Sequence, residues 1–123
     1  MKTVAIVGCG FVADLYMRSL RSFPDIQVSA VFDKSSQRLE AFCAHWGLKA
    51  VASLADVFES LPPTGLLLNL TNPSAHYEIN QAALMAGHHV FCEKPLALSL
   101  KQAQELCSLA NERGLQLGSA PSS

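Results

Sequence analysis

Hydrophobic residues along this chain gather into short continuous runs instead of alternating with polar residues. Four runs stand out, at residues 4–7, 28–32, 66–70 and 89–92. Unbroken apolar runs of this length are typical of strands covered on both faces, as in parallel sheets. Two weaker runs, at residues 49–51 and 115–118, raise the predicted number of strands to about six.

Most segments between these runs have helical periodicity, with apolar residues three and four positions apart. The stripes are Val12, Leu15, Tyr16 and Leu20; Leu39, Phe42, Cys43 and Trp46; Ile79, Ala82, Ala83 and Ala86; and Leu100, Ala103, Leu106, Cys107 and Ala110. Gly47, Gly87 and Gly114 follow three of them, as glycine commonly follows a helix. Alternating strands and helices predict an α/β fold, a doubly wound parallel sheet of strand order 3-2-1-4-5-6, in one domain over residues 1–123.

A glycine-rich loop joins the first predicted strand to the first predicted helix. The sequence GCGFVA at residues 8–13 has the GxGxxA spacing of a dinucleotide-binding loop. Gly8 suits a tight turn, Gly10 has no Cβ to obstruct a pyrophosphate, and backbone amides at the helix start can bind phosphate oxygens. The alternative is a structural glycine turn without a nucleotide. The predicted phosphate-binding residues are Gly8, Cys9, Gly10, Phe11 and Val12.

An acidic residue, Asp33, ends the second predicted strand, 23 positions after Gly10. A carboxylate there can accept hydrogen bonds from both ribose hydroxyls of NAD. Asp33 could instead cap the helix that begins near Ser35. Lys34 and Arg38 follow closely and could bind the additional phosphate of NADP, so NAD is predicted and NADP is the less favoured cofactor.

The composition excludes several classes of function. Nine Lys and Arg residues against ten Asp and Glu give a formal net charge of −1, without the basic patch that nucleic-acid binding requires. Four cysteines, at positions 9, 43, 92 and 107, show neither a CxxC pair nor the spacing of zinc ligands. No apolar run has the length of a membrane span. These patterns predict a cytoplasmic protein with free thiols, no metal site, and no nucleic-acid or membrane partner.

Three blocks of sequence together resemble the Gfo/Idh/MocA family of oxidoreductases. They are VAIVGCG at residues 4–10, LTNPSAH at 70–76 and AGHHVFCEKPLA at 86–97. The resemblance covers the whole chain, and its last block is the most specific. It implies a Rossmann domain that binds a nicotinamide dinucleotide for hydride transfer to or from a sugar, a cyclitol or a related secondary alcohol.

The resemblance also implies roles for individual residues. Lys94 corresponds to the family's lysine near the substrate and the nicotinamide, and is the predicted catalytic residue. The other positions that the family associates with the cofactor are Thr71, Asn72, Pro73, His76 and Glu93. On spacing alone, the Glu-Lys pair would be interpreted as a solvated loop, and His76 as an exposed residue in the first turn of a helix.

Complete members of the family carry a second α/β domain that binds the substrate. This sequence has no counterpart of it, and Ala120-Pro121 resembles the start of the crossover into it. The chain is therefore expected to bind a dinucleotide without catalysing turnover, and to self-associate through apolar surface and the edge of its last strand. A non-catalytic dinucleotide sensor and a scaffold for protein contacts are the alternative functions.

Overall fold

The computed structural model describes residues 2–119, in which strands and helices alternate. The elements are β1 (Lys2–Val7), α1 (Phe11–Leu20), β2 (Ile26–Phe32), α2 (Ser36–Trp46), α3 (Leu54–Ser60), β3 (Leu66–Asn69), α4 (Pro73–Met85), β4 (His89–Cys92), α5 (Leu100–Glu112) and β5 (Leu117–Ser119). The predicted crossover at Ala120-Pro121 lies outside the described residues. Within residues 2–119, no helix is both long enough and apolar enough to cross a membrane.

The strands form one parallel sheet in the order β2-β1-β3-β4-β5. Helices cover both faces, because each parallel connection must cross over the sheet before the next strand begins. The predicted α/β class is confirmed.

The predicted strand at residues 49–51 is reduced to one bridge, between Val31 and Ala50. The Val31 N–H donates to Lys49 O at 2.9 Å, and the Val51 N–H donates to Val31 O at 3.0 Å. Little chain is available for pairing here, because α2 ends at Trp46 and Ser53 already caps α3. With this bridge outside β2, the order corresponds to the predicted 3-2-1-4-5-6.

The last strand begins two residues later than predicted. The Leu115 N–H donates to Ala110 O at 2.9 Å, a contact that belongs to the end of α5. Strand pairing with β4 starts at Leu117, opposite Val90. Only three residues therefore form this edge strand.

Two apolar clusters occupy opposite faces of the sheet. Ala5, Val7 and Leu67 pack beneath α3, α4 and α5, whereas Val4, Ile6 and Leu68 pack beneath α1 and α2. Successive residues of one strand point to opposite faces. Because each face is covered by helices, the residues that point to either face must be apolar. The continuous hydrophobic runs follow from that requirement.

His88 is a buried polar residue at the opposite end of β4 from the predicted site. It is 5% exposed, packs against the Phe58 ring at a centroid separation of 5.9 Å, and its Nδ1 has no partner among the described residues. Burial lowers the pKa of His88 below 6.5, although backbone hydrogen bonds at Phe58 and Pro62 oppose the shift. The fold therefore favours the neutral imidazole.

This burial predicts acid sensitivity. Between the lowered folded-state pKa and about 6.5, the unfolded chain binds more protons than the folded chain, so the free energy of unfolding falls as pH falls. His88→Gln removes the titrating group and is expected to flatten that decline. Urea unfolding at a series of pH values from 7.5 down to 5 measures the slope, and an equal slope in parent and variant contradicts the assignment.

Candidate functional site

A cleft of about 130 Å³ opens at the carboxyl ends of β1, β2 and β3. After β1 the chain enters α1 on one face of the sheet, whereas after β3 it enters α4 on the other face. The two loops diverge, which leaves a crevice of the kind that binds ligands in open parallel sheets. The cleft is lined by Val7, Gly8, Cys9, Gly10, Phe32, Asp33, Lys34, Arg38, Leu70, Thr71, Asn72, Ser74, Ala75 and Ile79.

Glycine occurs for a different reason at each of the two glycine positions in the loop at residues 8–13. Gly8 has φ +104°, and a Cβ added there would lie 2.6 Å from the backbone carbon and oxygen of Leu70. Gly10 has φ −81°, and an added Cβ would meet no atom within 4 Å. The folded chain therefore requires glycine at position 8, whereas at position 10 a side chain would only fill the cleft.

The start of α1 offers backbone donors to this cleft. Gly10 is the N-cap and has no side chain to occupy the first amides of the helix. Ala13 is fully buried, so α1 approaches the sheet closely at its first turn. Amides that point out of a helix N-terminus form an anion-binding site. Phe11 is 76% exposed, and neither it nor Val12 lines the cleft with its side chain.

The Asp33 carboxylate joins the glycine loop to the start of α2. One oxygen accepts from Cys9 N at 2.8 Å, and the other accepts from Ser35 N at 2.7 Å. Ser35 itself is the N-cap of α2. A carboxylate has about four lone-pair positions. Arg38 Nη2 also donates to Asp33 Oδ1, at 3.4 Å, so one position remains free and a second holds only this long contact.

Cationic side chains lie on the outer wall of the cleft. Arg38 forms an ion pair with Asp33 at 3.4 Å, and its side chain is 54% exposed. Lys34 is exposed beside it and also lines the cleft. Both cations can therefore approach an anion bound near Asp33.

The Cys9 thiol is buried between the glycine loop and α2. Burial, followed by the nearby Asp33 carboxylate, raises the pKa of Cys9 to about 12. Cys43 and Cys92 are also buried, whereas Cys107 is exposed. Within residues 2–119, no group of three or more His, Cys, Asp or Glu side chains is arranged to hold a metal ion.

The loop after β3 forms the opposite wall. Thr71 and Asn72 line the cleft, and Pro73 is the first residue of α4. Asn69 holds the loop because its Oδ1 accepts from both Thr71 N, at 3.3 Å, and Thr71 Oγ1, at 2.6 Å. Asn69 is fully buried.

His76 does not line the cleft. It is 1% exposed, with Nδ1 2.5 Å from Pro95 O and Nε2 2.8 Å from Thr71 O. The alternative interpretation from spacing alone, an exposed residue in the first turn of a helix, is wrong for its side chain, because α4 turns the ring inward between two loops. The association of His76 with the cofactor, which the family resemblance implies, stays a prediction. The imidazole contacts the backbone of Thr71, a residue that lines the cleft, without lining the cleft itself.

Glu93 and Lys94 follow β4, one strand further along the same edge of the sheet. Glu93 is half-buried and Lys94 is exposed, and neither lines the cleft. Tyr16 on α1 donates its hydroxyl to Glu93 Oε2. Burial and then this hydrogen bond raise the pKa of Tyr16. The peptide bond between Lys94 and Pro95 is cis.

Sequence patterns missed three residues of this region. Tyr16 is part of an apolar helical stripe, and its partner lies 77 positions away. Asn69 and Asn80 were not predicted as part of the site. The available signals were the position of Asn69 within an apolar run and that of Asn80 beside an apolar helical stripe. Both are fully buried.

The family model described as "Oxidoreductase family, NAD-binding Rossmann fold" (Gfo/Idh/MocA) matches residues 2–120. The chain belongs to the Gfo/Idh/MocA family. The resemblance seen in the sequence is thereby confirmed, and the Rossmann fold with it. The glycine loop, the cleft and the loop after β4 are parts of an NAD(P)-binding domain of an oxidoreductase family.

Among curated relatives in this family, the inositol 2-dehydrogenase/D-chiro-inositol 3-dehydrogenase of Lactiplantibacillus plantarum is 34% identical over 121 residues, which cover 94% of this chain and 34% of that protein. Biliverdin reductase from Synechocystis, solved with biliverdin and NADP+, has 30% identity and a TM-score of 0.86, covering 95% of this chain and 37% of that one. GenD2 from gentamicin A biosynthesis, solved with NAD, has 27% identity and a TM-score of 0.89, covering 97% and 34%. The chain spans about a third of the length of the curated relative.

Proposed function

We propose that the cleft binds NAD(P) with its diphosphate against residues 8–12 and its adenosine ribose at Asp33. The open space above Gly10 carries this proposal, because nothing in the protein itself requires glycine there. The described residues fit such a ligand: amides at the start of α1 can donate to its phosphates, and Asp33 has one free lone-pair position and a second that holds only the 3.4 Å contact with Arg38. Thr71, Asn72, Ser74 and Ala75 form the facing wall.

In the reaction that we propose, Lys94 holds the oxygen of a secondary alcohol or carbonyl and moves a proton at its Nζ. Its exposure on the same sheet edge as the cleft supports this role. Glu93 orients the loop through Tyr16, and Thr71 and Asn72 complete the wall. Bound NAD(P) would supply the hydride acceptor or donor.

For the whole protein, we propose dehydrogenation of a sugar, a cyclitol or a related alcohol. The L. plantarum relative is an inositol dehydrogenase, which supports a polyhydroxylated substrate. Residues 1–123 would be the dinucleotide-binding domain. The substrate would be held largely by a further domain, for which the remaining two thirds of the relative's length leave room. Because hydride transfer needs a substrate fixed at close range, the 123-residue chain would bind cofactor without catalysing turnover.

Isothermal titration of the chain with NADH tests the binding step. We expect saturable binding at one site. Absence of binding contradicts the dinucleotide site. Robust NAD(P)-dependent oxidation of a polyol by this chain alone contradicts the proposal that a further domain holds the substrate.

We further propose that NAD binds more tightly than NADP. Ribose hydroxyls can donate charge-assisted hydrogen bonds to Asp33, each contributing about 1.5–3 kcal/mol. A 2′-phosphate about 4 Å from that carboxylate would be repelled by up to about 4 kcal/mol per charge before screening. The ion pair with Arg38 weakens this repulsion without removing it.

The preference is expected to be roughly tenfold, equivalent to about 1.4 kcal/mol. Asp33→Ser is expected to narrow or invert it, because the repulsion and the hydroxyl acceptor are lost together. Arg38→Gln is the matched control and should weaken NADPH binding more than NADH binding. Dissociation constants for both nucleotides at one ionic strength provide the measurement, and tighter NADPH binding by the parent contradicts the role given to Asp33.

Self-association of this chain is also proposed. Phe11, Leu98 and Leu100 are 76%, 69% and 74% exposed, and β5 is a three-residue strand at the edge of the sheet. Exposed apolar surface and an unpaired edge favour contact between copies. Sedimentation velocity over a range of concentrations should detect dimers or larger species. A constant monomer at high concentration argues against the proposal.

We propose a cytoplasmic location. All four cysteines are free thiols, three of them buried, as is usual in a reducing compartment. Fractionation of cells that express the full-length protein tests the location.

A further inference from the structure

Two buried asparagines link the loop after β3 to the loop after β4. Asn69 Nδ2 donates to Asn80 Oδ1 at 2.8 Å, and Asn80 Nδ2 donates to Leu96 O at 3.1 Å. At the other end, Asn69 Oδ1 accepts from Thr71 N and Oγ1. A continuous chain of hydrogen bonds thus runs from a wall of the cleft to the segment that follows Lys94 and Pro95.

Burial fixes the geometry of these hydrogen bonds. Asn69 and Asn80 are both fully buried, so neither amide can exchange its partner for water. An unpaired buried amide is costly, and both side chains are therefore held in one orientation. A change in the position of Thr71 must then be accommodated by Asn80 and Leu96.

His76 forms a second connection between the same loops, because its two ring nitrogens lie against Thr71 O and Pro95 O. His76 and Asn80 are one helical turn apart on α4, which packs between the loops. The two connections together leave little freedom for one loop to move without the other.

We infer that Asn69 and Asn80 are positioning residues that couple the dinucleotide-binding loop at residues 70–75 to the Lys94 loop at residues 93–97. This inference rests on the proposed function. Occupation of the cleft at Thr71 sets the position of the segment after Lys94, although Asn80 and Leu96 do not line the cleft. Asn69 and Asn80 touch neither the cofactor nor the substrate in this scheme.

ADP-ribose separates coupling from direct contact, since it carries the diphosphate and the adenosine but no nicotinamide to reach the Lys94 loop. NMR spectra of the ¹⁵N-labelled chain during titration should show shifts at the amides of Thr71, Leu96 and Ala97. The double variant Asn69→Val/Asn80→Ala removes both amides and keeps about the same combined side-chain volume. The substitution removes both partners of the Asn69–Asn80 hydrogen bond but leaves Thr71 N and Leu96 O without their asparagine partners, so urea unfolding of the double variant accompanies the titration.

In the double variant, the shift at Thr71 should remain while those at Leu96 and Ala97 become clearly smaller, the remainder passing through His76, which still joins Thr71 O to Pro95 O. ADP-ribose should bind roughly fivefold more weakly, the effect of one lost hydrogen bond. Tyr77→Phe is the matched control on α4. It removes the exposed hydrogen bond to Glu105, 2.7 Å long, which touches neither loop. Its titration should match that of the parent.

Shifts at Leu96 and Ala97 that are as large in the double variant as in the parent overturn the inference, as does a parent chain whose shifts stop at the cleft. If the parent binds neither ADP-ribose nor NADH, the proposed function fails. In that case, the amide spectrum of the single variant Asn69→Val without ligand tests the coupling. The same measurement applies if the double variant does not fold. Leu96 and Ala97 amides that shift in this variant support the coupling, and unchanged amides overturn it.

Discussion

Gly8→Ala should lower the free energy of unfolding by about 2–5 kcal/mol, combining the cost of a left-handed backbone with that of overpacking. The methyl group would lie 2.6 Å from the Leu70 carbonyl and 2.8 Å from Thr71 N, both of which are backbone atoms that cannot rotate away. Either β1 or the loop after β3 must move. A domain of this size is stable by only about 5–15 kcal/mol, so the loss is a large fraction of the total.

Gly47→Ala is the matched control for this effect. Gly47 has φ +68° at the end of α2, but an added Cβ would meet no atom within 4 Å. Only the conformational cost applies there, about 1–2 kcal/mol. Urea unfolding of the parent and both variants measures the difference, and equal losses in the two variants refute the importance of the contact with Leu70.

Gly10→Val should have the opposite profile, with near-normal stability and severely weakened dinucleotide binding. The backbone of Gly10 is compatible with any residue, so the folding cost should stay within about 1 kcal/mol for a poorer N-cap. The isopropyl group would occupy the space proposed for the diphosphate. Losing two charge-assisted hydrogen bonds of about 1.5 kcal/mol each corresponds to at least a hundredfold rise in the NADH dissociation constant.

Titration with NADH and urea unfolding of the same Gly10→Val preparation provide both readouts. Unaltered NADH affinity in a folded variant would place the diphosphate elsewhere. Together with Gly8→Ala, this variant separates the glycine that the fold needs from the glycine that the proposed ligand needs.

Features set by burial or local geometry were predictable from the sequence. The strands β1 to β4 lie under helices on both faces, so their residues are continuously apolar and the pattern is visible without a structure. Local capping has the same kind of signal: Ser99 directly precedes the apolar stripe of α5, and its Oγ accepts from Gln102 N at 3.2 Å. The position of the cleft follows from the same pattern, because the carboxyl ends of parallel strands share one edge.

Features set by pairing between distant elements were not predictable. The spacing around Tyr16 indicates an apolar helix face and contains nothing about Glu93, which follows β4. Asn69 and Asn80 each look unfavourable in an apolar setting until the other is brought to 2.8 Å. The inward orientation of His76 depends in the same way on a carbonyl at Pro95, 19 positions later.

The buried thiol of Cys9 makes the glycine loop chemically resistant. The nucleophilic form of cysteine is the thiolate, and burial beside Asp33 raises the pKa of Cys9 far above its ordinary value, so very little of this thiol is ionised at pH 7. Peroxide and alkylating agents therefore find almost no nucleophile between the two glycines. Thiol oxidation should begin at Cys107, which is exposed on α5 and does not line the cleft, before it reaches the glycine loop.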